Sequence, residues 1–200
     1  MISCDVGKYF YSIFTLCRGG HIVPIFYNKG GFNKKYENEQ KRFISQNTDE
    51  YLSLFEKTVE TALKYGSKTG IGAHSIRAVN KKMLEEINKY NGNKYPFHLH
   101  IAEQLKEVEE SIKYLGQRPV EWLYNNFEIG ENHHLVHATH LTEKETNLVT
   151  SNKSNVILCP ITEGNLADGI FNYDLFQKKE GNWCIGSDSN VGLFPFEEIR

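Results

Sequence analysis

The stretch FHLHIAEQLKEVE, residues 97–109, places two histidines and several carboxylates where an apolar segment gives way to a charged one. His98 and His100 are two residues apart, so on a strand both side chains point to the same face. Glu103 follows three residues after His100, and the two side chains converge only if the strand ends between them. An ordinary helix-start carboxylate fits Glu103 equally well. The remaining acidic residues, Glu107, Glu109 and Glu110, are predicted to form a solvated helix face.

Short apolar runs alternate with charged, amphipathic segments along the chain. The runs cover residues 21–27, 69–76, 95–102, 134–141, 155–162 and 182–189. Their near-continuous apolar character is typical of parallel strands covered on both faces. Strand alternating with helix predicts an α/β fold built on a parallel sheet, either open or part of a (β/α)₈ barrel.

The sequence predicts three helices from the residues that typically begin and end a helix. The first begins at Thr48 or Asp49 as the capping residue and ends near Gly66. The second is LKEVEESIKYLG (105–116). The third is RPVEWLYNNF (118–127), in which Pro119 suits the first helical turn.

Polar residues able to bind metal or move protons lie near the carboxyl end of nearly every predicted strand. Clustering at one rim is what a barrel active site looks like, and it favours the barrel over the open sheet. In a barrel, His137 and Asp188 would face His100; taken alone, Asp188 also fits a turn or a helix cap. The rim residues are His74, His100, Glu103, His137, His140, Thr162 and Asp188.

Composition narrows the class of protein. The 200 residues are 40% hydrophobic and 24% charged with a formal net charge of −2, so neither nucleic acid nor an acidic membrane is an expected partner. Four widely spaced cysteines predict reduced thiols and a cytoplasmic location. Residues 1–19 contain no signal-peptide pattern and are predicted to be a helix remnant or a segment unrelated to the fold, preceding one domain over residues 20–200.

Several motifs, in order and spacing, resemble the amidohydrolase superfamily and, within it, the formiminoglutamate deiminases. They are HLHIAEQLKEVE, GQRPVEWLY, LVHATHLTEKE, LCPITEGNLADGIF and IGSDSNV. Two upstream stretches agree, GGF…ENEQKRFI (30–44) and GAHSIRAV (72–79), and the resemblance is densest from residue 95 onward. The resemblance implies a partial (β/α)₈ barrel of the metal-dependent type, spanning about strands three to eight of the family fold.

The resemblance also implies a role for each rim residue. His100 and Asp188 would bind one Zn²⁺, and Asp188 would accept the proton of the attacking water. Glu103 would shuttle a proton, and His137 would polarise the substrate and orient that water.

Two residues of the motif HSIR, His74 and Arg77, would contact the substrate in the same family pattern. Arg77 offers a planar fork for a carboxylate. The implied reaction is zinc-dependent hydrolysis of N-formimino-L-glutamate to N-formyl-L-glutamate and ammonia, a step of histidine degradation.

One family element is missing from the sequence. The H-x-H pair that supplies two further zinc ligands in this superfamily does not occur before residue 98. The expectation is therefore a chain that lacks the first barrel strands, has impaired activity, and exposes strand edges that favour a homodimer. Two alternatives stay open: a deaminase acting on a nucleobase-like substrate, and a catalytically dead fragment that serves as an interaction protein.

Overall fold

The computed structural model describes residues 2–6, 9–13, 21–189, 194 and 196–198, with backbone alone for the first two segments. The chain divides into two compact units, residues 1–98 and 99–200. At the start of the first unit, strand β1 (Ile2–Val6) pairs antiparallel with strand β2 (Tyr9–Ile13). The backbone of these ten residues is extended, so the predicted helix remnant is wrong for them.

The first unit is built on short parallel strand pairs. Strand β3 (His21–Ile22) pairs with β5 (Lys68–Thr69), and β4 (Ile25–Phe26) pairs with β6 (Ile71–Ser75). Gly72 permits the close approach of β4 to β6, because a Cβ at position 72 would lie 2.6 Å from the Ile25 Cδ1 atom. The other elements are a 3₁₀ turn at Lys41–Phe43, helix α1 (Thr48–Lys64), helix α2 (Lys81–Asn91) and the start of strand β7 (Phe97–Ile101).

Helix α1 confirms the helix predicted after residue 47 but begins with a different cap. The side chain of Asn47 accepts a hydrogen bond from the Glu50 backbone N–H, so Asn47, not Thr48 or Asp49, is the capping residue. The buried face of α1 carries Tyr51, whose ring stacks on Phe26 with centroids 4.7 Å apart. The helix is thereby fixed against strand β4.

The second unit continues β7 and adds three parallel strands with helices between them. Strand β9 (Asn155–Leu158) pairs parallel with both β8 (His133–His137) and β10 (Asn182–Ile185). The Ala138 N–H donates to the Ile101 carbonyl, which joins the ends of β8 and β7. The helices are α3 (Leu105–Leu115), α4 (Pro119–Asn126), α5 (Glu143–Ser151), α6 (Pro160–Leu166) and α7 (Tyr173–Lys178).

Every apolar run identified in the sequence overlaps a strand, and the strand pairs after residue 20 that are defined in the two units are parallel. The predicted parallel α/β class is therefore confirmed, as is Pro119 at the start of α4. Cys159 and Cys184 are free thiols; Cys17 lies outside the described residues. Among the helices of the described segments, none has the length and apolar character required to cross a bilayer.

Candidate active site

The strands of the second unit end in backbone turns that redirect their side chains. Ala102 after β7, His137 at the end of β8 and Asp188 after β10 have φ values of 50°, 68° and 42°. A left-handed backbone at a residue other than glycine costs roughly 1–3 kcal/mol and is found where the surrounding structure holds it for function. Because the chain turns at Ala102, Glu103 does not continue the alternation of side chains along β7. The strand therefore ends between His100 and Glu103, as the convergence of their side chains requires.

Three predicted site residues from three strand ends lie together in this unit. The His100 Nε2 atom is 3.9 Å from the Asp188 Oδ1 atom, and the rings of His100 and His137 stack with centroids 5.5 Å apart. The His137 Nε2 atom is 3.9 Å from the Asp188 Oδ2 atom. His100 and Asp188 are each partly exposed, whereas His137 is buried. Solvent therefore reaches the side chains of His100 and Asp188, whereas the side chain of His137 is covered by the protein.

Glu103 faces the same cluster. Its Oε1 atom lies 3.7 Å from the His137 Nε2 atom, and its side chain is largely shielded from solvent. The backbone N–H of Glu103 donates to the Glu107 Oε2 atom at 3.0 Å. Glu107 is 1% exposed, so its predicted place on a solvated helix face is wrong. It lies one helical turn after Glu103 and fixes the backbone that carries it.

A second buried carboxylate, that of Glu163, approaches His137 from the opposite side. The His137 Nδ1 atom is 3.3 Å from the Glu163 Oε1 atom. The same oxygen accepts a hydrogen bond from the Cys159 backbone N–H at 2.9 Å. Glu163 belongs to α6, whose first residue, Pro160, directly follows the end of β9 and Cys159. The two ring nitrogens of His137 thus meet different carboxylates.

The carboxylates change the protonation of their neighbours. Burial alone would lower the pKa of His137, but the hydrogen bond to Glu163 and the charges of Glu103 and Asp188 outweigh it and raise that pKa above its ordinary value. Burial, reinforced by the charges of Asp188 and Glu163, raises the pKa of the Cys159 thiol. Cys159 is therefore held as a neutral thiol and is not an activated nucleophile.

The segment that carries Asp188 is tied to helix α6. The Thr162 Oγ1 atom donates to the Ser187 carbonyl at 3.1 Å and lies 2.9 Å from the Ser189 hydroxyl oxygen. These bonds flank Asp188 on both sides in the sequence. Thr162, a rim residue of the predicted barrel, therefore positions the loop and leaves the Asp188 carboxylate directed at the histidines.

The donor set suits a zinc ion. Zinc takes imidazole nitrogen and carboxylate oxygen at about 2.0–2.2 Å, so two such atoms 3.9 Å apart are both within reach of one ion. The ligand atoms of His100, His137 and Asp188 all lie within 4.8 Å of one another. A second group, formed by His137, Cys159 and Glu163, meets the same distance limit but is buried, and its carboxylate oxygen is occupied by a backbone N–H. The first group is the better place for a metal ion, and its two partly exposed members, His100 and Asp188, are the residues that could hold the ion.

The remaining predicted site residues, His74, Arg77 and His140, are described by the contacts that each makes within its own unit. His74 and Arg77 belong to the first unit, where the ring of His74 stacks on Tyr27 with centroids 4.4 Å apart. Burial raises the pKa of Tyr27, and the charge of Arg77 opposes that rise. His140, in the second unit, directs its Nε2 atom to the Asp168 carbonyl at 2.6 Å and is engaged in the fold.

Two carboxylates that contact members of the cluster were not recognised from the sequence. Glu107 and Glu163 are both buried carboxylates on the helices that follow strands β7 and β9. The available signal was position, because the first turn of a helix that follows a parallel strand lies at the same edge as the carboxyl end of that strand. An acidic residue in that turn is a candidate for the site and not only for the helix dipole.

Comparison with known proteins relates these elements to one family. The amidohydrolase family model matches residues 30–200. The formimidoylglutamate deiminase of Pseudomonas aeruginosa is 36% identical over 180 residues, which cover 90% of this chain and 40% of that protein. The chain therefore spans less than half the length of this curated relative.

Solved structures of similar fold support the same family relationship. The crystal structure of an amidohydrolase from Brucella melitensis superposes with a TM-score of 0.83 at 37% identity and covers 89% of this chain and 40% of that one. An adenosine deaminase from Xanthomonas campestris with bound zinc superposes with a TM-score of 0.69 at 23% identity, over 83% of this chain and 36% of that one. The latter supports the fold alone. Together they confirm the predicted fold class, a partial (β/α)₈ barrel of the amidohydrolase type.

Proposed function

The chain belongs to the amidohydrolase family, and on that premise we propose that the cluster of His100, Glu103, His137 and Asp188 is the centre of a hydrolytic deiminase. The observation that carries the proposal is the approach of both Glu103 and Asp188 to the Nε2 atom of His137, at 3.7 and 3.9 Å. Two carboxylates beside one imidazole can remove a proton from water and deliver a proton to a leaving nitrogen.

The proposed substrate is N-formimino-L-glutamate, because the Pseudomonas aeruginosa relative is a formimidoylglutamate deiminase. In the reaction, the oxygen of water forms a bond to the formimino carbon and the bond from that carbon to the terminal nitrogen breaks. The products are N-formyl-L-glutamate and ammonia. His74 and Arg77 remain predicted substrate contacts, with Arg77 suited to a carboxylate.

Each residue of the cluster has a proposed role in this reaction. Asp188 accepts a proton from the attacking water on its carboxylate. The Nε2 atom of His137 hydrogen-bonds to the substrate and the water as charge develops at the formimino carbon. Glu103 delivers a proton to the departing nitrogen. These are acid–base and electrostatic contributions that require the groups to be positioned before substrate arrives.

His100 and Asp188 are the proposed zinc ligands. When bound there, zinc would lower the pKa of a water toward ~7 and polarise the C=N group. A zinc site usually takes three or four protein ligands, and among the described residues the proposal assigns two. Weak zinc binding and slow turnover by this chain are therefore expected. Cytoplasmic location and self-association stay predictions.

The experiment that tests the substrate measures ammonia release by the purified chain at saturating Zn²⁺. N-formimino-L-glutamate and adenosine are supplied in parallel, because a nucleobase-type deaminase is the alternative. The proposal expects ammonia from N-formimino-L-glutamate alone, dependent on added zinc. Ammonia from adenosine would favour the alternative, and a folded, zinc-loaded chain that releases none from either substrate would favour the non-catalytic interpretation.

A further inference from the structure

The imidazole of His137 lies between carboxylates on both sides. On one side its Nε2 atom faces the carboxylates of Glu103 and Asp188, and on the other its Nδ1 atom lies 3.3 Å from the Glu163 Oε1 atom. His137 is 1% exposed and Glu163 is 4% exposed. Because both residues are buried, solvent does not compete for this contact.

The direction of the hydrogen bond follows from the second contact of the same oxygen. The Glu163 Oε1 atom accepts from the Cys159 backbone N–H at 2.9 Å, so it presents acceptor lone pairs on this side. A ring nitrogen that carried only a lone pair would meet that oxygen unfavourably. The Nδ1 atom of His137 must therefore carry hydrogen and donate to Glu163.

We propose that Glu163 is a positioning residue that fixes His137 in the Nδ1–H tautomer and orients its Nε2 atom toward the carboxylates of Glu103 and Asp188. The inference rests on the proposed function only for its consequence in catalysis. A carboxylate behind a histidine sets which ring nitrogen reacts and holds the ring in orientation. Glu163 reaches the site through His137 and is not itself a catalytic residue.

The sequence is arranged to keep Glu163 in place. It occupies the first turn of α6, three residues after Pro160, and its backbone is set by the helix that starts directly after β9. The strained backbone at His137, with φ of 68°, fixes the other partner. Both backbones are constrained, and the Cys159 N–H holds the buried Glu163 carboxylate by a hydrogen bond of 2.9 Å.

The experiment measures the tautomer of His137 by two-bond ¹H–¹⁵N correlation in histidine-labelled protein, at a pH where the ring is neutral. The chain has eight histidines, and the signals of His137 are identified by their loss in His137→Gln. The expected wild-type result is a protonated Nδ1 and a bare Nε2. Glu163→Gln retains this tautomer, since its amide oxygen still accepts, whereas Glu163→Leu loses it.

A matched control separates positioning from general disruption. Glu145 is a second buried carboxylate of the same unit, with its own partners in Arg118 and Thr142. Glu145→Gln is expected to leave the His137 tautomer unchanged. A wild-type ring with hydrogen on Nε2, or a tautomer unaltered in Glu163→Leu, would overturn the proposal. If Glu163→Leu does not fold, the wild-type spectrum still decides.

Kinetics provide the link to the reaction. Loss of an outer partner of a site histidine typically costs about 10–100-fold in activity, so kcat for Glu163→Leu should fall by that factor while KM changes little. Glu163→Gln should restore much of kcat. A wild-type chain without deiminase activity would contradict the proposed function but leave the tautomer result intact, so the two failures are distinguishable.

Discussion

The Nε2 atom of His137 lies 3.7 Å from the Oε1 atom of Glu103, although the two residues follow different strands. The turn at Ala102, with φ of 50°, and the buried Glu107 beneath the Glu103 backbone bring about this approach. An acid and an imidazole at this distance form a unit that can exchange a proton through the substrate or one water. The proposed acid–base chemistry depends on the pair of Glu103 and His137 more than on any other contact of the site.

The first unit should depend on the buried hydroxyl of Tyr51. This hydroxyl lies 3.0 Å from the Pro24 carbonyl oxygen and accepts from the Gly72 N–H at 3.1 Å. Tyr51→Phe leaves these buried backbone groups unsatisfied and should lower the free energy of unfolding by about 1–3 kcal/mol. Urea denaturation measures it. Tyr90→Phe, at a tyrosine that is 43% exposed, is the matched control and should change stability by no more than about 0.5 kcal/mol.

The second unit should depend on the ion pair of Arg118 and Glu145. The Arg118 Nε atom donates to the Glu145 Oε2 atom at 2.8 Å, and the carboxylate is fully buried. Arg118→Met leaves a buried charge without its cation and should destabilise by about 3–5 kcal/mol. Lys153→Met removes an exposed pair with Glu131 and should cost only about 0–1 kcal/mol. Similar losses in the two variants, in urea denaturation, would contradict the assignment.

His133 should make the second unit sensitive to acid. Its ring is 4% exposed, and its Nδ1 atom accepts from the Gly130 N–H at 3.1 Å. Burial lowers its pKa in the folded state. The stabilising contribution is then complete above the unfolded-state pKa of about 6.5 and is lost as pH falls through the folded-state pKa.

The His133→Gln variant isolates this contribution. Its amide oxygen can still accept from Gly130 but does not titrate. The free energy of unfolding, measured between about pH 8 and about pH 5, should fall less steeply in the variant than in the wild type. Parallel pH profiles would show that His133 does not contribute to acid sensitivity.

Much of this arrangement could be predicted because parallel strands leave strong local signals. The apolar runs located the strands, and the residues at their carboxyl ends gave His100, Glu103, His137 and Asp188, which the structure brings together in the second unit. Placing Glu103 in the site required the end of β7 to be predicted correctly. The helical pattern that begins at Leu105 indicated that the strand ends shortly before it.

The remaining features depend on tertiary contacts that no spacing records. Glu107 belongs to a helix rich in exposed charges, and only its burial against the Glu103 backbone distinguishes it from Glu109. The cap at Asn47 was misplaced because three consecutive residues, Asn47, Thr48 and Asp49, can all cap a helix, and the backbone decides among them. Glu163 is the one charged residue of α6, and only its contacts with His137 and the Cys159 N–H show its place beside the site.

The most direct test compares ammonia release from N-formimino-L-glutamate, at saturating Zn²⁺, by the wild-type chain, Glu103→Gln and Glu109→Gln. Both variants remove one carboxylate charge near the start of α3, but Glu109 is exposed on that helix. The account predicts that Glu103→Gln loses about 10²–10⁴-fold in rate while Glu109→Gln retains the wild-type rate. Equal rates for Glu103→Gln and the wild type would contradict the proposed centre.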